Sequence, residues 1–419
     1  MKHPTRLQVR LPGRVVGVLE LHRTGAISWT PDPNWQQNPI PPLSADLALR
    51  RPIRTTGGEL PAWFENLLPE YSEKEPKRLR QYICERLGIE PTQSFRLLAA
   101  LGRELPGAVE LAVVDEAPAS PNLGQTGDES TELLVRFSSV AGMQLKFSMS
   151  LVQDGFVLGA QRGARQFLVK FPSRRFDGST GADLVAVEHA TMNWARASGF
   201  TVPCHEVVST KTLRGIDDGW VTSETAFAIE RFDRPMSGGK AHIEDLCQAL
   251  GLPPSAKYGN LKRGHFGAHA LLKFLTDQGG EAVGREAARR LGFIIASGNN
   301  DAHLKNWSLL WGADPRPSLT PCYDFVATVA WPDDFGWKLP SGPSLPLRFG
   351  NTQHFRLLDS IALDELAKRA EHPWVLEEFF RGIDAALHAW PTIAPSAPTA
   401  MREALEEHWE KTPCIRDRR

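Results

Sequence analysis

The sequence has 419 residues, of which 42% are hydrophobic and 23% charged, which predicts two or three folded units and excludes a disordered chain. Lys plus Arg total 48 against 49 Asp plus Glu, so overall charge provides no attraction to nucleic acid. The five cysteines are scattered without paired spacing, which argues against a disulfide framework or a zinc site and favours a reducing cytoplasm. We expect neither a signal peptide nor a membrane-spanning segment.

The first predicted unit, residues 1–114, opens with the alternating apolar runs LQVRL and VVGVLEL, which are typical of strands meeting at a glycine-containing turn. A helical stretch is predicted from about Pro61 to Leu101, and the strand-like run PGAVELAVV ends the unit. Residues 115–131, DEAPASPNLGQTGDEST, have almost no large apolar side chains and many Pro, Gly, Ser and acidic residues. They are therefore predicted to be an interdomain linker.

Strand patterns return from Glu132 in ELLVRFS, LKFSMSLV, GFVLGA and QFLVKFP, and later in HEVVST and ETAFAIERF. Between these two groups, Leu184, Val187 and Trp194 share one face at helical spacing. Beyond about Ser237 the chain is predicted to be mostly helix or loop. Strands followed by helices predict an α+β fold, with a β-rich lobe at 132–237, a helical lobe at 238–395 and a C-terminal tail at 396–419.

A polar loop, GNNDAHLKN, follows an apolar helix in the second lobe and supplies Asp301 and, five positions later, Asn306. This is the spacing of a protein-kinase catalytic loop, in which the aspartate accepts the proton of an attacking hydroxyl and the asparagine binds Mg²⁺. Lys305 can neutralise charge on the transferred phosphoryl group. Asp324 in CYDFV occupies the place of a second metal-binding residue. Taken alone, Asn-Asn-Asp is typical of a turn or a helix N-cap, and a lone aspartate in such a loop is usually a cap.

Upstream residues are candidates for binding phosphate. QFLVKFP places Lys170 at the end of an apolar strand, where an ammonium group is unfavourable unless it meets an anion, and Glu188 on the next helix can pair with it. In SSVAGMQLK, Gly142 lies between two strands, and backbone N–H groups and Lys146 are available to phosphate oxygens. A solvated lysine and an ordinary hairpin are the alternatives, but the order of these parts favours a kinase.

These blocks resemble the HipA family of serine/threonine kinases, the toxins of bacterial toxin–antitoxin pairs. The resemblance runs in order through SSVAGMQLK, FLVKFPS, AVEHA, IERFDR, EDLCQALGLPPSAKY, GNNDAHLKNWSLL and LTPCYDF. The segments PLSADLAL, WFENLLPE, SFRLLAALG and PGAVELA resemble the family's N-terminal domain. The resemblance implies a HipA-like bilobal protein-kinase-like fold with a small β-rich N-terminal domain and a helical C-terminal lobe.

The resemblance also implies ATP and Mg²⁺ as cofactors and gives roles to single residues. Asp301 is expected to be catalytic, and Asn306 and Asp324 are expected to bind Mg²⁺. Ser139 matches the family's autophosphorylated serine, and Ser138 beside it is a competing acceptor. The residues expected to contact ATP are Ala141, Gly142, Met143, Gln144, Leu145 and Lys146 of the phosphate loop, Lys170, the hinge residues Glu230, Arg231 and Phe232, and His303, Leu304, Lys305 and Tyr323.

The function implied by the resemblance is inhibition of translation by phosphorylating an aminoacyl-tRNA synthetase, with the glutamyl enzyme as the first expectation, followed by self-inactivation. The implied partner is a HipB-like helix-turn-helix antitoxin, through which alone the chain is expected to associate with DNA. Two alternatives remain. One is a small-molecule phosphotransferase of the aminoglycoside or choline kinase type, and the other is a catalytically silent co-repressor bound to its antitoxin.

Overall fold

The computed structural model describes residues 4–39, 41–45, 48–71, 79–114, 145–153, 155–161, 163–172, 183–216, 221, 223–262, 264–333 and 342–419. The predicted linker 115–131, both candidate serines Ser138 and Ser139, and residues 141–144 of the predicted phosphate loop lie outside these ranges. Within them, sheets and helices occur together, and the predicted α+β class is confirmed.

The strands of the described ranges are β1 Arg6–Leu11, β2 Arg14–Leu21, β3 Ile27–Pro31, β4 Ile53–Thr55, β5 Glu110–Val113, β6 Lys146–Val152, β7 Gly155–Leu158, β8 Gln166–Lys170, β9 His205–Ser209, β10 Leu213–Arg214, β11 Thr225–Glu230, β12 His242–Asp245, β13 Ser308–Trp311, β14 Ser318–Leu319, β15 Ser344–Phe349 and β16 Thr352–His354. The helices of the same ranges are α1 Pro33–Gln37, α2 Ala62–Glu65, α3 Leu79–Leu87, α4 Ser94–Leu101, α5 Leu184–Ala197, α6 Leu246–Ala249, α7 Ala268–Gly279, α8 Glu281–Ala296, α9 Ser360–Ala370, α10 Val375–Ile393, α11 Thr399–Lys411 and α12 Pro413–Arg416.

The chain packs into two compact units, each assembled from three separate stretches. Unit 1 consists of Met1–Phe171, Val208–Pro254 and Leu309–Pro315. Unit 2 consists of Pro172–Val207, Ser255–Ser308 and Arg316–Arg419. The chain passes from unit 2 into unit 1 within β9 and again within β13.

The N-terminal sheet of unit 1 is antiparallel, with the strand order β4-β3-β2-β1-β5. In β1 the side chains of Leu7, Val9 and Leu11 are buried and alternate with more exposed neighbours, because successive side chains of a strand point to opposite faces. Trp29 of β3 is fully buried, and its indole N–H donates to the Leu49 carbonyl at 2.8 Å. The alternation in LQVRL therefore predicted this strand correctly.

The second sheet has the order β10-β7-β6-β8-β11-β9. Strand β8 pairs antiparallel with β6 on one side and with β11 on the other, and all five of its side chains are buried. One hydrophobic cluster includes Val9 of the first sheet together with Phe147 and Val169 of the second. The N-terminal sheet and this second sheet therefore share a single core.

Unit 2 is built mainly from helices packed around Trp194 of α5. Its ring lies 5.2 Å from that of Phe293 in α8 and 4.7 Å from that of Trp390 in α10, measured between ring centroids. The indole N–H of Trp194 donates to the Ala386 carbonyl at 2.8 Å. Asp183 caps α5, since its side chain accepts from the Val185 N–H at 3.1 Å.

The structure differs from the prediction in several places. Strand β12 lies in the stretch beyond about Ser237 that was predicted to be mostly helix or loop. The stretch predicted as helical from about Pro61 to Leu101 contains the separate helices α2, α3 and α4. Strands β15 and β16 were not predicted, because Pro346 interrupts the apolar run of β15. Residues 396–419, predicted as a tail of undetermined order, contain α11 and α12. Within the described ranges, no helix combines the length and apolarity needed to cross a membrane.

Candidate active site

Asp301 lies in a tight loop that directly follows α8 in unit 2. The helix is capped by Ser297, and Gly298 follows with φ of +60°. A Cβ at Gly298 would lie 2.9 Å from the Cβ of Val329, so glycine is needed for both its backbone angle and its size. The Oδ1 of buried Asn299 accepts a hydrogen bond from the Asp301 N–H at 3.0 Å. The GNND sequence therefore both ends the helix and fixes the backbone of the predicted base.

Thr328 holds the same loop from the other side. Its hydroxyl accepts a hydrogen bond from the Asn300 N–H at 2.9 Å and lies 2.9 Å from the Gly298 carbonyl oxygen. The Val329 N–H donates to the same Gly298 carbonyl at 3.2 Å. These contacts give the loop a single supported conformation, as a preorganised site requires.

Asn306 lies in the 3-10 turn Leu304–Asn306, and its side chain reaches back to the predicted base. Its Nδ2 donates to the backbone carbonyl of Asp301 at 3.2 Å, and its backbone N–H donates to the His303 carbonyl at 2.8 Å. The amide oxygen Oδ1 is therefore the side-chain atom that can serve as a metal ligand. The predicted five-residue spacing is what brings this amide beside Asp301.

Tyr258 contacts the predicted base directly. Its hydroxyl donates to Oδ1 of Asp301 at 2.5 Å, and its ring packs edge-on against His303 with centroids 5.3 Å apart. The carbonyl of Lys257 accepts a hydrogen bond from the Leu304 N–H at 2.9 Å, which fastens this segment to the catalytic loop. Sequence analysis gave Tyr258 no role, although it ends the block EDLCQALGLPPSAKY that carried the family resemblance.

Asp324 has φ of +53°, a left-handed conformation that is uncommon for residues other than glycine and that Asp and Asn tolerate best. Its neighbours hold it there. The Tyr323 hydroxyl donates to the Lys305 carbonyl at 3.0 Å, and Phe325 stacks on Phe293 with centroids 5.5 Å apart. A backbone outlier fixed from both sides is typical of functional sites. The segment that carries Asp324 is thus attached to the loop that carries Asn306.

His303 is buried and electrically neutral. Burial, followed by the charges of Lys257 and Lys305, holds its pKa well below the usual value, and Asp324 opposes the shift. Within the described part of the chain, the Nδ1 of His303 has no hydrogen-bond partner. Such a nitrogen is a candidate contact for a ligand.

In unit 1, Lys146 and Lys170 occupy directly opposed positions of β6 and β8, and each is only 3% exposed. Opposed residues of an antiparallel pair have Cβ atoms about 4.5 to 5.5 Å apart, and like charges there repel. Lys170 also lies 5.7 Å from the ring centroid of Phe227, measured from Nζ. Two buried lysines at opposed positions of neighbouring strands favour a site for an anion such as phosphate.

The predicted hinge lies at the end of β11. The carboxylate of Glu230 forms an ion pair with Arg165 at 2.6 Å, and the Arg231 N–H donates to the Gln166 carbonyl at 2.8 Å. The Arg231 amide is therefore engaged within the sheet, and its side chain is buried. Phe232 follows directly after this contact.

The remaining predicted residues are distributed as follows. Leu304 and Glu188 are buried, and Glu188 belongs to unit 2 whereas Lys170 belongs to unit 1, so their pairing stays a prediction. The Leu145 carbonyl accepts a hydrogen bond from the Phe171 N–H at 2.9 Å. Residues 141–144 and both candidate serines lie outside the described ranges.

The donor set of the catalytic loop fits Mg²⁺. Across the described ranges, no three His, Cys, Asp or Glu side chains converge as a metal site. Mg²⁺ in phosphate-transferring sites usually keeps water and phosphate ligands and takes only one or two carboxylates from the protein. The amide oxygen of Asn306 and the carboxylate of Asp324 are hard oxygen donors of the kind that Mg²⁺ prefers.

Comparisons with known proteins agree on one family. The family described as HipA-like C-terminal domain matches residues 138–390, and the HipA N-terminal domain matches residues 7–112. A kinase-named protein of Sinorhizobium fredii is 32% identical over 417 residues, which cover 96% of each chain. The serine/threonine-protein kinase toxin HipA of Shewanella oneidensis is 26% identical over 370 residues, 78% of this chain and 76% of that protein.

The fold also matches a solved structure. In the complex of Shewanella oneidensis HipA, HipB and operator DNA, one chain superposes with a TM-score of 0.68 at 21% identity, covering 98% of this chain and 96% of that one. At this level of identity the likeness establishes the fold, which confirms the predicted HipA-like architecture. Because the two domain families cover most of the sequence and a full-length relative exceeds 30% identity, the chain belongs to the HipA family.

Proposed function

We propose that this chain is an ATP- and Mg²⁺-dependent serine/threonine protein kinase that acts as the toxin of a toxin–antitoxin pair. The proposal is carried by the surroundings of Asp301, whose backbone is fixed by Asn299 and Asn306. A carboxylate held in this way can orient an attacking hydroxyl and accept its proton. Membership of the HipA family supports the same chemistry.

The proposed roles of the other residues follow the predicted assignments. Bound Mg²⁺ would neutralise the phosphate charge, and Asn306 and Asp324 would hold it. Lys305 would offset charge on the transferred group. The proposed ATP contacts are Ala141, Gly142, Met143, Gln144, Leu145 and Lys146, then Lys170, the hinge Glu230, Arg231 and Phe232, and finally His303, Leu304 and Tyr323. The buried lysine pair of β6 and β8 supports the phosphate part of this proposal.

The proposed substrate is an aminoacyl-tRNA synthetase, with the glutamyl enzyme tested first, and the proposed self-inactivation is phosphorylation of Ser139 or Ser138. Family membership is the support for both. A phosphoserine carries about −1.5 to −2 charges and would repel the ATP phosphates. The solved complex of a HipA with HipB and operator DNA supports a HipB-like helix-turn-helix antitoxin as the partner and contact with DNA through that partner.

Asp301→Asn tests the proposed base. We expect phosphoryl transfer to fall by about 10² to 10⁴-fold, because the carboxylate acts on the transition state, while MgATP still binds. Transfer is measured with labelled ATP and glutamyl-tRNA synthetase, and binding with a non-hydrolysable ATP analogue. Asp324→Asn is the matched variant, since it loses the same charge and keeps a residue that tolerates positive φ. It should weaken Mg²⁺-dependent nucleotide binding instead.

The alternatives predict different results. A wild-type protein that binds ATP, labels neither itself nor any protein, and phosphorylates an aminoglycoside or choline would be a small-molecule phosphotransferase. If expression of wild type and of Asp301→Asn is equally harmless to cells, and both proteins still support operator repression, the chain is a catalytically silent co-repressor. Comparing the phosphoproteomes of cells that express the two forms identifies the substrate if the kinase proposal holds.

A further inference from the structure

A cluster of charged side chains joins the N-terminal domain, residues 7–112, to the segment that follows β11. Arg231 and Asp233 form two parallel hydrogen bonds, Nε to Oδ1 at 3.0 Å and Nη2 to Oδ2 at 2.7 Å. Arg234 Nη1 lies 2.8 Å from the same Oδ2, and Arg231 Nη1 lies 3.9 Å from Oε2 of Glu104. These four residues are called the charged latch below.

The charged latch forms hydrogen bonds with the backbone of the N-terminal domain. The Gly107 N–H donates to Oδ2 of Asp233 at 2.9 Å, and Arg234 donates to the carbonyls of Gly107 at 2.9 Å and Leu105 at 2.8 Å. Gly107 has φ of +73°, and a Cβ there would lie 3.1 Å from backbone atoms of Ile243. The loop that carries Gly107 is therefore closely fitted to the segment after β11.

The latch is buried and ionised. Arg231 and Asp233 are 6% and 5% exposed. Burial by itself raises the pKa of Asp233, but the charges of Arg231 and Arg234 outweigh it and hold that pKa below its usual value. A buried ion pair contributes little stability relative to apolar packing, but loss of one partner is strongly unfavourable. Its clearest effect is to fix the relative position of the segments that it joins.

The same arginine reaches the strands that carry the proposed ATP contacts. Arg231 Nη1 donates to the Ser148 hydroxyl of β6 at 3.1 Å, and its backbone N–H donates to the Gln166 carbonyl of β8 at 2.8 Å. Strand β6 begins with Lys146 and β8 ends with Lys170. One side chain and its backbone therefore connect the N-terminal loop with β6, β8 and the end of β11.

We propose that Arg231 and Asp233 are positioning residues through which the N-terminal domain sets the placement of residues 230–232 and, with it, the affinity for adenine. This inference rests on the proposed function, in which those residues form the hinge. The N-terminal domain is then part of the nucleotide-binding machinery of the kinase, although none of the proposed ATP contacts lies within residues 7–112. Coupling through packed and hydrogen-bonded groups of this kind changes affinities measurably.

Gly107→Ala in the full-length protein tests the inference from the N-terminal side. The added methyl group at positive φ should move the loop away from Asp233 and raise the KM for ATP about fivefold to tenfold. The kcat at saturating ATP should not change. The inhibition constant of inorganic tripolyphosphate, which has no adenine, should also remain at its wild-type value. Asp233→Asn should reproduce this selective loss.

Glu110→Gln is the matched control. It breaks an ion pair with Lys240 at 2.8 Å that joins the same two segments, but Glu110 is half exposed and contacts no hinge residue among the described contacts. Its KM for ATP should equal that of wild type. If Asp233→Asn does not fold, the KM for ATP of Gly107→Ala tests the inference by itself, because that variant leaves the buried ion pair with both of its charges.

Two results would overturn the inference. The first is an unchanged KM for ATP in folded Gly107→Ala. The second is an equal loss of affinity for ATP and for tripolyphosphate, which indicates general damage to the unit and not displacement of the hinge. Failure of the proposed function would be observed separately from failure of this inference. In that case wild type itself would bind no MgATP and transfer no phosphate.

Discussion

The hydroxyl of Tyr258 lies beside the carboxylate that, in the proposed reaction, accepts the proton of the substrate hydroxyl. It donates to Oδ1 of Asp301, and the residue is 39% exposed. A substrate serine must also donate a hydrogen bond to this carboxylate before the carboxylate can accept its proton. The phenol therefore competes with the substrate for one acceptor, and an exposed ring can move aside when the substrate binds.

At this residue scale we predict that Tyr258→Phe lowers the KM for the protein substrate about threefold to tenfold, the equivalent of one hydrogen bond. The KM for ATP should stay the same, and steady-state kinetics with each substrate varied measures both values. Tyr71→Phe, at another exposed tyrosine, is the control. A fall in kcat with unchanged KM would contradict competition and show instead that the phenol orients Asp301.

At the scale of elements, α11 holds the end of α8, the helix that the Asp301 loop follows. The last carbonyls of a helix have no partner within it. His408 Nε2 lies 2.7 Å from the Ile295 carbonyl oxygen, and the Trp409 indole N–H donates to the Ala296 carbonyl at 2.7 Å. Burial lowers the pKa of His408 to about 4, so its ring is neutral near pH 7 and donates through Nε2–H. The segment predicted as a tail thus supports the catalytic loop.

We expect His408→Phe to reduce the free energy of unfolding by about 1 to 3 kcal/mol, because the Ile295 carbonyl loses its buried donor while the ring volume is kept. Urea denaturation followed by tryptophan fluorescence measures the change. His388→Phe, on the exposed side of α10, is the control for the same substitution. Equal midpoints for the two variants would show that the hydrogen bond to α8 does not contribute.

At the scale of the whole molecule, the N-terminal domain shares one core with the second sheet, and further buried polar groups join it to β12. Oε1 of Glu244 accepts hydrogen bonds from the Ser44 N–H at 2.5 Å and the Trp63 indole N–H at 2.6 Å. His242 Nε2 lies 2.9 Å from the Pro42 carbonyl oxygen. Burial is the main cause that raises the pKa of Glu244, to about 8. This domain is therefore expected to unfold together with the second sheet.

The raised pKa of Glu244 predicts how the free energy of unfolding changes with pH. A carboxyl group that holds its proton more tightly when folded contributes stability that is complete below its unfolded pKa of 4.5 and is lost as the pH rises through about 8. Between about pH 5 and about pH 8, wild type should therefore lose more than about 1 kcal/mol relative to Glu244→Gln. Urea denaturation at several pH values measures this difference. Glu59→Gln on the surface is the control, and parallel curves for all three proteins would contradict the prediction.

The sequence alone was sufficient to predict features whose signals are local. Strands such as β1, β6 and β8 follow from alternating or apolar runs, and the α+β class follows from their order. The spacing of Asp301 and Asn306 and the ordered family blocks identified the candidate active site. The proposed boundaries at 131/132 and 237/238 stay predictions, because the two compact units follow packing and each combines three stretches of the chain.

Only the tertiary structure decided the contacts between distant residues. Tyr258 and Asp301 are 43 positions apart, His408 and Ile295 are 113 apart, and Gly107 and Asp233 are 126 apart. A single tyrosine, histidine or glycine has no periodicity or spacing that marks its partner. Each of these pairs lies within one unit, whose core brings distant segments of the chain together. A buried polar group then forms a hydrogen bond with whichever donor or acceptor the packing places beside it.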